Sequence, residues 1–270
     1  SVENTLAYSA RHALACFPQK NPDGSWLYST PYLNYKVANG RHILLGEDSH
    51  RNVERGTDFS NTTRLVYSPI KELSFTGDFT YRLYQTRNTS RSNPMYYREY
   101  PDGELLSYAT GAGANRLDES VNTSHYYSTN IYGNYTDTFN DRHNLTVVAG
   151  MNYEAWRSKN ISAYGENLVS ADLDDLGLVG QNAEGAVITG VGGGQNEYAL
   201  LGIFGRINYD YMSRYLFEVS GRYDGTSRFA KGNRWGFFPS ASVGWRISEE
   251  SFFRPARRLV DNLKIRASFG

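Results

Sequence analysis

Charge of one sign has no excess in this sequence: 28 Lys and Arg balance 28 Asp and Glu over 270 residues. With no net field, nothing draws the chain to nucleic acid or to an acidic membrane surface. Cysteine is almost missing. Cys16 stands alone, which excludes an internal disulfide and with it the small stapled secreted folds, while saying little about compartment. Long apolar runs are missing too, and none approaches the roughly 18 residues that a membrane helix requires. The negative mean hydropathy therefore argues against helical spans. It does not argue against a membrane barrel, whose strands are only half apolar. There is no basic-then-apolar leader at the start, SVENTLAYSARHAL, and the last residues, LKIRASFG, lie within a strand-like run. Both ends read as cuts in a longer chain.

What the sequence does have is aromatic residues, 22 Tyr, 13 Phe and 4 Trp, with 26 Gly. Aromatic and β-branched residues favour pleated, half-buried surfaces. Period-two alternation runs through eight segments, about 60–68, 72–86, 122–138, 142–156, 198–212, 215–224, 236–248 and 262–270. In 72–86, Leu73, Phe75, Phe79, Tyr81 and Leu83 share one face and Ser74, Thr76, Asp78, Thr80 and Arg82 the other. In 142–156, Leu145, Val147, Met151 and Tyr153 oppose Asn144, Thr146, Asn152, Glu154 and Trp156. From 205 to 225, Ile207, Tyr209, Tyr211, Phe217, Val219 and Tyr223 oppose Arg206, Asn208, Asp210, Glu218, Ser220, Arg222 and Asp224, with Ser213-Arg214 as the turn. In these segments no Asp, Glu, Lys or Arg falls on the apolar face. A basic residue at the midplane of a membrane barrel's outer face costs roughly 2–4 kcal/mol. A one-residue slip would put Glu218, Arg222 and Asp224 there together. Their charge suggests a wet interior on the other side.

The connections alternate short and long. SPIK (68–71), FNDR (139–142) and MSR (212–214) are tight; 87–121, 157–197 and 225–235 are long, and 249–261 is intermediate. A barrel inserted from one side has short periplasmic turns and long outside loops, which a soluble sandwich has no reason to imitate. Tyr211, Tyr215 and Phe217 gather near one rim, and Tyr223, Trp235, Phe237 and Phe238 near the other, as two interfacial girdles would require. All eight Pro fall in loops or at strand starts. The expected architecture is an all-β, antiparallel transmembrane barrel segment of about eight strands with long extracellular loops. It spans 58–270, and residues 1–57 read as an irregular, loop-rich extracellular segment with NPDG (21–24) as a turn.

Sites for chemistry are weak. His12 and Cys16, four apart, would need a helix and further ligands to hold zinc. DLDDLG (172–177) matches a calcium loop at its first, third and sixth positions but has Leu176 at the fifth and Ala183 at the twelfth. GVGGGQN (190–196) fails the dinucleotide fingerprint. Six sequons, at Asn61, Asn88, Asn122, Asn134, Asn144 and Asn160, are what Asn- and Thr-rich polar faces generate by chance. No nucleophile elbow is present. Neither a metal, a cofactor nor catalysis is expected. Tyr96, Tyr97, Tyr100 and Tyr108 either stack on a sugar or pack their loop on itself.

YLFEVSGRYDGTSRFAKGNRWGFFPSASVGWRISEESFF (215–253), followed by LVDNLKIRASFG (259–270), carries the patterns YxxxxSxRYDGxSRF, GNRWGxFPSxSxGWxxSEExFF and LKxRASxG. TTRLVYSPIKELSFTGDFTYR (62–82) and HNLTVVAGMNYE (143–154) add to them. Together they resemble the SusC/RagA-like TonB-linked outer-membrane transporters of Bacteroidota, over most of 60–270. The resemblance implies a slice of a plugged barrel of ~22 strands that imports glycans or peptides. It implies TonB as the energy source, acting through a plug domain that lies outside this chain, and a SusD-like surface lipoprotein over the mouth. It implies membrane lipid against Ile207, Phe217 and Val219, and a lumen, plug or substrate against Arg206, Asp210, Glu218, Arg222, Asp224, Arg228, Tyr96 and Tyr97. The RYDG-SRF motif either holds plug or loop through salt bridges or is barrel wall. Two other readings stay open: a complete eight-stranded barrel with a structural or adhesive role, and a soluble β-sandwich that binds carbohydrate.

Overall fold

The computed structural model describes residues 18–30, 35–37, 42–43, 50–108 and 115–270. The His12/Cys16 pair lies outside them. Eight strands form one antiparallel meander: β3 (His50–Ile70), β4 (Leu73–Ser92), β7 (Arg116–Phe139), β8 (His143–Glu166), β9 (Thr189–Tyr211), β10 (Tyr215–Thr226), β11 (Trp235–Arg246) and β12 (Lys264–Phe269), with β3 and β12 as the two edges. Two small hairpins accompany it, β1 (Ser29–Thr30) with β2 (Tyr35–Lys36), and β5 (Met95–Tyr97) with β6 (Leu106–Tyr108). All eight alternating segments are strands. Several are longer than their alternation: β7 and β8 run 24 residues each, about twice the 9–11 that cross a bilayer. β3 begins at His50, so residues 50–57, read as irregular from the sequence, are strand.

The chain divides into two compact units. One comprises Ser1–Thr57, Gln85–Asn122 and Lys159–Gly194; the other comprises Asp58–Tyr84, Thr123–Ser158 and Gln195–Gly270. The first has a small core. Leu27, Val37, Ile43, Leu117 and Leu168 are buried there, and buried His42 makes a 2.8 Å hydrogen bond through Nε2 to the Leu27 carbonyl. Burial holds the His42 imidazole below its ordinary pKa.

The second unit has no buried large apolar side chain among the described residues. Its apolar residues instead lie side by side on one face. The register aligns Tyr211, Tyr215, Trp245 and Ile265 in one row, Tyr209, Phe217, Val243 and Ala267 in the next, and Ile207, Val219, Ala241 and Phe269 in a third. Ile203, Tyr223 and Phe237 follow beyond Gly205, Gly221 and Pro239. Val219 is 59% exposed and Phe237 64%. A contiguous apolar face of this size without a partner is not stable in water. From Tyr215 to Gly225, ten residue steps at ~3.4 Å each and a tilt of ~40° span roughly 26 Å along the bilayer normal, close to the ~25 Å band of a membrane barrel. Three charged residues share the apolar parity: Asp137, next to the tight turn, accepts from the Tyr135 hydroxyl at 3.0 Å and the Thr138 amide at 2.7 Å, and Arg157 and Glu197 pair with each other at 3.0 Å toward the opposite ends of β8 and β9.

The tight turns are set by backbone geometry. Asn140 and Asp141 have φ of 50° and 53°, and the Arg142 amide donates to the Phe139 carbonyl at 3.1 Å. Positive φ at both central residues matches the right-handed twist of a hairpin. Met212 and Ser213 repeat it, with φ of 55° and 56° and the Arg214 amide bonded to Tyr211 at 2.9 Å. The turn is therefore Met212-Ser213 and not Ser213-Arg214. Pro239 sits inside β11, not at its start; β12 pairs with β11 only from Ala241 onward, so no β12 ladder bond is lost there. Phe238, placed with the girdle from sequence, pairs with Arg222 and so belongs to the opposite face.

Candidate functional site

The face opposite the apolar rows is where the polar residues meet. The same register sets Asp210 beside Leu216 and Gly244, Asn208 beside Glu218 and Ser242, and Arg206 beside Ser220 and Ser240. Lys264 and Arg266 of β12 extend it. The Ser220 and Ser240 hydroxyls bond each other at 2.8 Å, and Arg266 reaches to 4.0 Å from Glu218. An open depression of about 320 Å³ lies among Asn144, Asn208, Glu218, Lys264 and Arg266.

Arg222 organises the next part. Its Nε donates to Asp224 at 2.7 Å, and its Nη2 donates to Asn152 Oδ1 at 2.7 Å. Gly202 of β9 lies between them: a Cβ there would collide with Asn152 Oδ1, Asp224 Oδ1 and Arg222 Nη2. An alanine there would make these three side-chain ends shift. Tyr198 forms a second group. Its ring stacks on Trp156 with centroids 5.7 Å apart, Arg228 lies 4.1 Å from its centroid, and its hydroxyl donates to Glu154 at 3.0 Å. Stacked rings, a guanidinium and a carboxylate are the set that binds sugars or peptide side chains by stacking and charge-assisted hydrogen bonds.

Arg222, Asp224, Glu218, Arg206 and Asp210 thus share one face of β9 and β10, and Arg228 joins it from the following loop. Arg206 is exposed. Asp210 turns back to cap the tight turn, accepting from the Ser213 amide at 2.7 Å. Tyr96 and Tyr97 belong to the other unit, in the β5–β6 hairpin. Tyr97 packs on Tyr28 at 5.0 Å, and burial pushes its phenol up, whereas Tyr96 is 48% exposed. Asn152, Gly202 and Tyr198 were not singled out from the sequence. Asn152 and Tyr198 carry the right parity; the role of Gly202 depends on contacts 20 or more residues away. Two of the three carboxylates of DLDDLG are engaged: Asp174 pairs with Arg51 at 2.6 Å, and Asp175 accepts from the Gly177 amide at 2.7 Å.

The TonB dependent receptor-like, β-barrel family model matches residues 8–270. TonB-dependent receptor P39 of Formosa agariphila is 35% identical over 152 residues, 56% of this chain and 14% of that protein. TonB-dependent receptor SusC of Bacteroides thetaiotaomicron is 51% identical over 80 residues, 28% of this chain and 8% of that protein. TonB-dependent receptor P26 of Formosa agariphila is 27% identical over 271 residues, 96% of this chain and 25% of that protein. The chain therefore spans a quarter or less of these relatives. Among solved structures, the RagAB peptide importer in its "open-open" state superposes with a TM-score of 0.67 at 17% identity, over 92% of this chain and 25% of that one. At that identity the likeness is one of fold.

Proposed function

The chain belongs to the TonB dependent receptor-like β-barrel family, resides in the outer membrane, and on that footing we propose that it is wall of a nutrient importer. The imported material is a glycan or a peptide, energy comes from TonB through a plug contributed by another part of the protein, and a SusD-like surface lipoprotein captures substrate at the mouth. The chain has no catalytic role. The observation that carries this reading is the two-faced sheet: apolar rows with no core beneath them on one side, and the Arg222, Glu218 and Tyr198 groups on the other. In this reading Arg206, Glu218, Arg222, Asp224, Arg228, Tyr96 and Tyr97 face the lumen, plug or substrate, and Asp210 keeps its turn. The relatives named SusC and RagAB support the partner and substrate classes as analogies.

The self-contained small barrel has less support, because β3 and β12 do not pair with each other. A soluble sandwich would need a second sheet over the apolar rows, and none of the described residues supplies it. The test is to tag the full-length protein in its native outer membrane, identify co-purifying lipoproteins, and compare uptake of labelled oligosaccharides and peptides with and without its gene. Co-purification of a lipoprotein and loss of one uptake class are expected. Unchanged uptake of both classes would refute the importer reading.

A further inference from the structure

The connection from β11 to β12 lies wholly within the second unit and is not a plain turn. Residues Ser251–Arg258 (SFFRPARR) form a 3₁₀ helix, and Leu259 and Val260 follow it. It sits at the same end of the sheet as the Met212-Ser213 turn. There the Arg246 amide donates to the Arg214 carbonyl at 2.8 Å and the Ser248 amide to the Leu263 carbonyl at 3.2 Å. From Ser251 to Val260, Phe252, Phe253, Leu259 and Val260 are interleaved with Arg254, Arg257 and Arg258, and no acidic residue intervenes. In a 3₁₀ helix residues three apart share a side. The side of Phe253 and Ala256 is half-buried and the other two are exposed. Phe252 is 64% exposed, Leu259 91% and Val260 43%. Exposed apolar residues gathered in so short a stretch mark a contact surface.

Two observations indicate the partner. The first is continuity with the lipid face. The Phe252 ring meets Trp245 edge-on, with centroids 6.4 Å apart. Trp245 stands in the row of Tyr211, Tyr215 and Ile265, the row of the apolar face nearest the Met212-Ser213 turn. Phe252 therefore continues that face past the strand ends. The second is charge. Arg257 is used internally, its Nε donating to the Ser248 carbonyl at 2.6 Å and its Nη2 to Glu249 at 3.0 Å. Glu250 is engaged by Arg214, the Tyr215 hydroxyl and the Trp245 indole. The acids before the helix are thus paired already, and Asp261, beyond Val260, is the one other acid of the connection. Arg254 and Arg258 are exposed and have no acceptor among the described residues.

Apolar side chains that run on from a lipid face, with unpaired guanidiniums among them, are the make-up of an interfacial segment. Its apolar groups enter the acyl boundary while long basic side chains reach back to the head groups. Phosphate oxygens accept from a guanidinium in bidentate fashion. A zwitterionic lipid offers a phosphate but brings its own cation; an anionic phospholipid does not. We propose that Ser251–Val260 lies on the leaflet at the tight-turn end, the periplasmic one in a barrel with short periplasmic turns. There it binds anionic phospholipid head groups through Arg254 and Arg258, with Phe252 and Leu259 in the acyl boundary. The inference needs the barrel in its membrane and is independent of what is imported.

The experiment uses the full-length protein in a cysteine-free background, reconstituted in vesicles of phosphatidylcholine alone or of phosphatidylcholine with phosphatidylglycerol. A spin label at position 259 is read by collision with oxygen and with a neutral nickel chelate. Each arginine near an anionic surface shifts partitioning toward it by about fivefold. The ratio of oxygen to nickel access at 259 is therefore expected to rise severalfold when phosphatidylglycerol is added. R254A/R258A, which removes two exposed side chains, is expected to abolish that rise while keeping wild-type heat-modifiable migration. R254K/R258K, which keeps the charge, and R157A, which breaks the exposed Arg157–Glu197 pair elsewhere, are expected to retain it. An unchanged ratio on adding phosphatidylglycerol, or an equal rise in R254A/R258A, would overturn the proposal. So would a label at 259 that neither reagent reaches, because protein and not lipid would then cover the segment.

Discussion

Arg222 passes over β9 at Gly202, the position where a single added carbon would strike its Nη2 together with Asn152 and Asp224. The arrangement ties β8, β9 and β10 on the polar face, and it separates two contributions that are easily confused. The Arg222–Asp224 pair is 45% and 36% exposed at its side chains, so its direct worth is that of a surface pair, about 0.2–1 kcal/mol. A methyl group at Gly202 meets only the ends of three flexible side chains, which can move aside, so its cost is that of a surface substitution, about 0.5 kcal/mol. Gly202→Ala and Arg222→Met are therefore each expected to destabilise the full-length protein by less than about 1 kcal/mol. Unfolding in denaturant, followed by tryptophan fluorescence in detergent, measures both.

The two faces should respond oppositely to the same substitution. Val219→Arg places a guanidinium in the middle of the apolar rows and is expected to cost roughly 2–4 kcal/mol, seen as lost assembly into the outer membrane. Ser220→Arg, one residue along on the polar face beside Arg206 and Ser240, is expected to assemble nearly as wild type. Assembly yield by heat-modifiable gel migration distinguishes them.

The Met212-Ser213 turn stores backbone strain, since residues other than Gly, Asn and Asp rarely hold φ near 55°. Replacing it with Asn-Gly, by Met212→Asn and Ser213→Gly, keeps the turn type and is expected to stabilise the protein by about 1 kcal/mol. A rise in the denaturant midpoint with unchanged slope is the expected result.

Glu250 supplies a pH response outside the strands. The Tyr215 hydroxyl at 2.7 Å, the Trp245 indole at 3.2 Å and Arg214 at 3.5 Å hold its carboxyl below the ordinary value of 4.5. A carboxylate depressed on folding contributes its stability fully above the unfolded value, and loses it as pH falls through the lower folded one. Glu250→Gln is expected to flatten the fall of the unfolding midpoint below pH ~4.5 while leaving its slope near pH 7 unchanged.

Much of the fold was legible because the two solvents on either side of the sheet enforce alternation. Ile207, Phe217 and Val219 face one medium; Asn208, Glu218 and Ser220 face the other. Where that pressure ends, so does the signal. Residues 157–166 (RSKNISAYGE) are strand with polar residues on both faces, held by ladder hydrogen bonds that composition does not reveal, and 50–57 behave alike. The turn was misplaced by one residue because Met212 carries no turn propensity. The polar face was readable by parity, but its organisation was not. Asn152 and Arg222 are 70 positions apart, and nothing local marks Gly202 as the gap between them. Tyr96 and Tyr97 were grouped with the polar face by residue type, whereas the structure puts them in the other compact unit.

The central claim is that the sheet separates lipid from water along a period of two. Single spin labels placed in turn at residues 206, 207, 217, 218, 219 and 220 of the full-length protein, in a cysteine-free background and in native-lipid vesicles, test it by collision with oxygen and with a water-soluble nickel chelate. The account predicts oxygen access at 207, 217 and 219 and nickel access or immobilisation without oxygen access at 206, 218 and 220. Equal nickel access at all six positions would contradict it.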